Sequence, residues 1–363
     1  MRALVLSSCY AEPTRRGKLR ALAGLGCDLT AAVPGGEAAV DGGVRIAPVP
    51  VRGELADPAT LRWRARRLKR LLTDTLPDLV QIEEEPATPA AHTSALLCRR
   101  LRIPYVLFSW ESLRRRLGLF QHLRARRTLS GSAGVIGGNH LAEALLRNGA
   151  VGKPSLALPQ HGIALPPTHP ASGREALELG FIGRLVPERG LDLLIHALGQ
   201  TMGKWHLTVV GTGPEQEPVE ELVQRLGLAS RVRWLGGVRR EAIDALWPEL
   251  DCLVIPSRET TTWVERHSPL LLEAMARGIA AVVTQSGALP ELVGEAGVVV
   301  RDLDELVLAL QELVAHPEKA RALGALGRRR VQEHYVDDAI AARTLEFWNG
   351  MVAAQRAARP AGA

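Results

Sequence analysis

LELGFIGRLVPERGLDLLIHAL, residues 177–198, decides the fold. An apolar run closes on Gly183, a loop carries Arg184 and Arg189, and a helical segment over 190–202 follows. The stretch therefore reads as strand, loop, helix. The same rhythm runs on toward the C-terminus. WHLTVVG (205–211), VRWLGG (232–237), DCLVIPS (251–257), AAVVT (280–284) and GVVV (297–300) read as strands, with helices over 215–227, 240–248, 270–277 and 289–294 between them. Helical segments over 303–315 and 317–334 close this half, and a last helix, about 338–357, is long enough to cross back onto the first domain. Upstream, RALVLSS (2–8), DLTAAV (28–33), LVQIE (79–83), YVLFSW (105–110), GVIGG (134–138) and SLALP (155–159) alternate with helices that include 61–72, 87–102, 113–129 and 140–148. Strands alternating with helical connections predict an α/β protein with parallel, doubly wound sheets and helices on both faces.

The 363 residues suit two domains better than one. The Pro-rich stretch 163–178 reads as a linker. The expected division is therefore 1–165, 166–340 and a C-terminal helical piece, 341–363. Composition is that of a globular protein with a full core, 46% hydrophobic and 23% charged. No apolar run reaches the ~20 residues that span a bilayer, and the stretch before Cys9 is too short for a signal sequence. Cys9, Cys27, Cys98 and Cys252 are scattered, without metal-ligand spacing, which fits a reducing cytoplasm. Charge is uneven: residues 1–165 carry 24 Lys and Arg against 13 Asp and Glu, the remainder 21 against 26. A basic first half is expected to meet something anionic. A nucleic acid is not the expected partner, because no recognisable module or aromatic stacking pattern accompanies the charge.

In doubly wound sheets ligands bind beyond the C-terminal ends of the strands, where helix N-termini offer amides to phosphate, so a cleft between two such domains is the expected site. Arg184 and Arg189, just past a strand end, suit a diphosphate clamp. In WVERHSPLLLEAMARG (263–278), Glu265 precedes a helix that opens near Ser268–Leu270, and Glu273 lies about one turn inside it. One carboxylate before an anion site and one behind it match the layout of sugar, diphosphate and ribose. Taken alone, two such glutamates read more readily as a capping acid and a solvated helix face.

The order of motifs separates these readings. GRLVPERG, VVGTGPE (209–215), the pair Glu265 and Glu273 with seven residues between them, and SGALPELVG (286–294) together resemble retaining glycosyltransferases of family 4, of GT-B fold with two facing Rossmann-like domains. The resemblance is strong over about 178–340 and collinear over 1–165, where GCDLTAAVP, GVIGGNHLAEALLRNGA and LALPQHGI carry it. It implies that Arg184 and Arg189 bind the donor diphosphate beside Gly183. Glu273 then holds the ribose hydroxyls, and Glu265 contacts the transferred sugar near its anomeric carbon. Gly236, Val238 and Arg239 lie against the base. It implies a UDP- or GDP-sugar as co-substrate, no cofactor, no metal and a hydroxyl acceptor.

The chain departs from the family's pattern in places. Arg266-His267-Ser268-Pro269 stands where a small-aromatic-glycine run is common, and Pro269 brings no N–H before Leu270. Arg266 and His267 either compensate electrostatically or alter which sugar fits. Thr14-Arg15-Arg16-Gly17 replaces a glycine-rich turn, and Ser109-Trp110-Glu111 replaces a His-Asp pair. Arg16, Gly17, Glu84, Trp110, Glu111 and His161 are the acceptor-side candidates. The run Glu83-Glu84-Glu85 reads as an acceptor loop or a solvated acidic loop. Asp302-Leu303-Asp304 reads as a helix cap rather than a metal motif. The basic segments 61–72 and 113–127, the latter with Leu113, Leu117 and Phe120 on one helical face, suit an anionic membrane or a solvated helix with a core-facing stripe. A cytoplasmic protein, peripheral to the membrane in the first case, is the expectation. The alternatives are a non-catalytic nucleotide-sugar-binding partner and a same-fold inverting transferase or epimerase.

Overall fold

The computed structural model describes residues 1–54, 57, 59–167 and 174–357. The linker expected over 163–178 falls partly on 168–173, outside the described residues. In chain order the first strands and helices are β1 (Arg2–Leu6), α1 (Gly17–Gly24), β2 (Asp28–Pro34), β3 (Ala39–Asp41), β4 (Val44–Val49), β5 (Val51–Arg52) and β6 (Arg62–Trp63). Then come α2 (Ala65–Thr75), β7 (Leu79–Ile82), α3 (Pro89–Arg100), β8 (Tyr105–Ser109), α4 (Leu119–Ser130), β9 (Gly134–Gly137), α5 (His140–Gly149) and β10 (Ser155–Ala157). The next series is β11 (Leu177–Ile182), α6 (Leu191–Gln200), β12 (Trp205–Val210), α7 (Gln216–Arg225), β13 (Val232–Gly236), α8 (Arg240–Leu246) and β14 (Cys252–Ile255). It ends with α9 (Pro269–Ala276), β15 (Ala280–Thr284), α10 (Leu289–Val293), β16 (Val298–Val300), α11 (Leu303–Ala315), α12 (Pro317–His334) and α13 (Asp337–Ala357).

These elements form two compact units, Met1–Gly162 with Val336–Ala363, and Ile163–Tyr335. The first unit holds a sheet ordered β10-β9-β8-β7-β1-β2-β4-β3, parallel except for β3. Its core has two faces because side chains alternate along a strand. Leu4 and Leu6 of β1 pack with Leu68 and Leu72 of α2 and Ala91 and Ala95 of α3. Ala3 and Val5 pack on the other side with Leu19 and Leu22 of α1 and Ile340 and Trp348 of α13. Trp348 is fully buried, and its indole donates to Gln81 Oε1 at 2.7 Å, so the one polar atom of that ring is satisfied. The second unit holds an all-parallel sheet ordered β13-β12-β11-β14-β15-β16 around one core.

Two helical expectations are corrected. The segment 61–72 does not begin as a helix: Arg62–Trp63 pairs antiparallel with Val51–Arg52, and the helix starts at Ala65. Burial of Leu61 and Trp63 fixes that strand pair against the sheet. The segment 113–129 is helical only from Leu119. Gly118 is extended at the N-cap, and its N–H donates to Gln121 Oε1 at 3.0 Å, which sets the helix start there. Leu113 and Leu117 therefore share no helical face with Phe120. Asp302 caps α11 as read, accepting from Glu305 N at 2.9 Å.

Candidate active site

In the second unit the chain lays β12 and β13 on one side of β11, then β14, β15 and β16 on the other. The direction reverses between β11 and β14, and at such a switch point the loops beyond the strand ends diverge and leave a crevice. The β11 loop carries Gly183, Arg184 and Arg189. The β14 loop carries Ser257, Trp263, Glu265, Arg266, His267 and Ser268. Neighbouring loops brace both. Gly183 N donates to Val210 O at 2.9 Å, and Leu185 N to Thr212 O at 3.0 Å. Ala288 N donates to Glu265 O at 2.8 Å, and Gly287, at φ 51°, lies so close that a Cβ there would stand 2.0 Å from the same oxygen. Glycine at 287 thus lets the β15 loop clamp the backbone of Glu265.

The Glu265 side chain is buried and pairs with Arg189, whose Nη1 donates to Oε2. The Ser257 hydroxyl donates to the same oxygen at 3.5 Å. Burial raises the Glu265 carboxyl above the ordinary glutamate range, and Arg189 and Ser257 act against that shift. Arg189 ends a short 3-10 turn, Pro187–Arg189, and its guanidinium lies 5.4 Å from the centre of the Trp263 ring. Arg184 is exposed and has no partner among the described residues. The two arginines of the loop therefore differ: one holds the buried glutamate and the other stands free.

Helix α9 opens at Pro269 with buried Ser268 at the N-cap, whose hydroxyl makes no capping bond. The first helical position suits proline, since its N–H would have no intrahelical partner. The missing amide at 269 therefore leaves the first-turn amides of Leu270 and Leu271 in place. Glu273 pairs with Arg240, Nη2 to Oε2 at 2.6 Å. Arg277 donates to the Glu273 carbonyl at 3.2 Å and to Asp244 Oδ1 at 3.0 Å. Arg240 was not among the sequence candidates, which ended one residue earlier at Arg239. Its signal was position: it is the first residue of α8, just past the turn after β13. Gly236 closes β13 and accepts from Gly211 N at 2.8 Å; Val238 is half-buried and Arg239 exposed at the N-cap of α8.

The first unit has its own switch point, between β1 and β7. Glu83 and Glu84 follow β7 and are buried, which overturns the solvated-loop reading of the acidic run. Glu83 is structural: it accepts from Lys18 Nζ at 2.8 Å, Gln81 at 2.6 Å, Gln160 at 2.8 Å and the Tyr10 hydroxyl at 3.3 Å. Lys18, missed in the sequence, is itself buried. Glu84 accepts from Ser8 N at 3.1 Å, and burial, with Glu83 and Glu85 nearby, pushes its carboxyl up to about 7. Glu85 accepts from the Ser109 hydroxyl and from Trp110 N, and Trp110 donates to Gln160 Oε1 at 3.0 Å. Glu111 pairs with Arg115 at 2.6 Å. Arg16 engages Tyr10 O, Asp41 and Ala11 O through its three nitrogens. Gly17 abuts the Asp337 carboxylate so closely that a Cβ would overlap it, at 1.8 Å. Arg16 and Gly17 are thus explained by packing. Burial, with Lys18 adding to it, lowers the affinity of His161 for a proton.

Among the described residues no cluster of three or more His, Cys, Asp or Glu is placed to hold a metal ion, and no helix is long and apolar enough to cross a membrane. Two α/β units, each gathering polar side chains at the switch point of a parallel sheet, define a GT-B protein. Residues 11–159 match the family model described as glycosyl transferase 4-like domain, and residues 176–316 that of glycosyl transferases group 1. The chain belongs to the family 4 glycosyltransferases. It is 32% identical over 185 residues to the GDP-mannose-dependent alpha-(1-6)-phosphatidylinositol monomannoside mannosyltransferase of Mycolicibacterium smegmatis, which covers 48% of each protein. It is 33% identical over 175 residues to the MMP alpha-(1->4)-mannosyltransferase of Mycolicibacterium hassiacum, 46% of this chain and 41% of that one. The matches thus span about half the length of these curated relatives or less. Among solved structures, sucrose-phosphate synthase from Thermosynechococcus elongatus superposes with a TM-score of 0.68 at 20% identity, over 98% of this chain and all of that one. Anabaena Alr3699/HepE in complex with UDP does so with a TM-score of 0.69 at 17% identity, over 96% and 99%. At these identities the likeness is one of fold.

Proposed function

We propose that the chain transfers a sugar of the mannose type from a GDP-linked donor to a hydroxyl acceptor, with retention of anomeric configuration and without a metal ion. The observation that carries this reading is the buried Glu265–Arg189 pair at the switch point, beside free Arg184 and the open first turn of α9. The donor class rests on the names of the two mycobacterial-type relatives, one of which specifies GDP-mannose.

In the proposed reaction the bond from the anomeric carbon to the diphosphate oxygen breaks, and a bond to the acceptor oxygen forms on the same face of the sugar. The acceptor's proton passes to the departing phosphate. Negative charge grows on that phosphate as the bond breaks, where Arg184, Arg189 and the amides of Leu270 and Leu271 stabilise it. Glu265 orients the sugar and stabilises the positive charge at its ring. Glu273 takes the ribose hydroxyls once they displace Arg240.

Four measurements test this. In a thermal-shift screen, GDP is expected to raise Tm more than UDP, ADP or dTDP. Glu273→Gln is expected to weaken GDP binding about tenfold, the scale of a hydrogen bond to a charged group, with kcat little changed. Equal shifts from all four nucleotides sink the donor assignment, and an inverted anomeric proton signal in the product sinks retention. EDTA is expected to leave turnover within about twofold, because arginines and helix amides take the place of a cation at the leaving group. Turnover lost in EDTA and restored by magnesium or manganese refutes that part.

A further inference from the structure

Residues 114–123, the approach to α4 and its first turn, are all exposed. Leu119 is 72% exposed and Phe120 77%, with Leu117 and Leu123 at 39%. Leu119 and Leu123 are four residues apart and Phe120 and Leu123 three, so these side chains form one patch on the helix surface. The fold makes little use of this end of the helix: α4 buries only Thr128 and Leu129, near its other end. The remaining exposed large apolar residues are spread along the chain, and single ones need no explanation. Four within seven residues do.

The charge around the patch selects the occupant. RRRLGLFQHLRARR, residues 114–127, holds six arginines and no acid. Arg115 pairs with Glu111, whereas Arg114, Arg116 and Arg126 have no partner among the described residues. A second copy packed on this face by two-fold symmetry would set six arginines against six. An anionic bilayer supplies both halves of the match. Its headgroups take guanidiniums, and its interface takes leucine and phenylalanine to a depth of ~5–10 Å. The other basic helix lacks the apolar half: α2 turns Leu68 and Leu72 into the core, and none of its residues is an exposed large apolar one.

We propose that the Leu117–Leu123 patch and its flanking arginines dock the chain on a bilayer rich in anionic phospholipid, with Leu119 and Phe120 inserted and the guanidiniums on the headgroups. This docking does not depend on the donor or the reaction. The test is flotation of the full chain with phosphatidylcholine vesicles, with and without about one-third phosphatidylglycerol. Binding is expected only with the anionic lipid, falling as salt rises. Leu119→Ser with Phe120→Ser is expected to lower the partition at least about tenfold. Gln at 114, 116 and 126 is expected to lower it about a hundredfold, roughly fivefold for each arginine. All five positions lie on the surface, so an unchanged Tm is the control for folding. Equal binding to neutral vesicles, unimpaired binding by either variant, or a concentration-dependent dimer in sedimentation that the Leu119 and Phe120 changes abolish would each overturn the proposal.

Discussion

Glu265→Gln is expected to lower kcat by about 10²–10³ while leaving donor affinity within about threefold, the size of effect that follows loss of one group aimed at transition-state charge. The substitution keeps the shape of a buried side chain held by Arg189 and Ser257, so its effect reports charge rather than a cavity. In the folded protein the carboxylate is buried, held by Arg189 and Ser257, and its backbone is fixed by Ala288 N. A group so fixed suits charge that appears only as the glycosidic bond breaks, which is why kcat and not KM carries the loss. Because burial raises this carboxyl, the acid side of the wild-type kcat profile should lie above the ~4.3 of a free glutamate. The Gln variant should lose that limb. Near wild-type turnover from Glu265→Gln would remove Glu265 from the proposed mechanism.

The sequence made the architecture legible because strands buried on both faces read as unbroken apolar runs. CLVI at 252–255 and AAVV at 280–283 are such runs, and each sits inside a parallel sheet. It failed where local pattern and tertiary context part. Arg62–Trp63 lies next to a helical pattern, yet burial of Trp63 makes it a strand. Leu113 and Leu117 have helical spacing, yet the cap at Gly118 cuts them off from α4. The hairpin of β3 and β4 is short and exposed at its outer strand, so it lacks the apolar run that marked the others.

For the candidate site, residue types were legible and pairings were not. Motif order singles out Arg184, Arg189, Glu265 and Glu273 as candidates, but partners brought together by folding leave no trace in local spacing. Arg189 meets Glu265 across 76 positions, and Glu273 of α9 meets Arg240 at the start of α8. Likewise Glu83 reads as part of an acceptor loop or a solvated acidic loop until Lys18, 65 positions away, is seen buried against it. The same blindness made Arg16 an acceptor candidate, although folding occupies its guanidinium.

Removing Arg189 should have an effect of similar size, with a different signature. In the proposed reaction Arg189→Ala takes a cation from the leaving diphosphate, and in the folded protein it leaves Glu265 buried without its ion pair. A loss in kcat of about 10²–10³ is expected from the first effect alone. The second effect appears in pH dependence. Arg189 holds the Glu265 carboxyl down against burial, so its removal raises that carboxyl further, and the acid limb of kcat should move to higher pH. Stability follows the same sign. A carboxyl whose folded-state pKa lies above its unfolded value favours folding at low pH, and that contribution is lost as pH rises through the folded value. The Tm deficit of the variant should therefore be larger at pH 8 than at pH 5. Arg189 is about a third exposed, so the deficit at pH 8 should be on the order of 1–2 kcal/mol rather than that of a fully buried pair. Arg189→Lys keeps the charge but lacks the fork, and should recover roughly tenfold of the lost turnover and return the acid limb toward wild type. If Arg189→Ala lowers kcat with no movement of the acid limb, the arginine serves the leaving group alone. If the limb moves and kcat at its plateau is unchanged, it serves only to hold Glu265, and the diphosphate is left to Arg184 and α9.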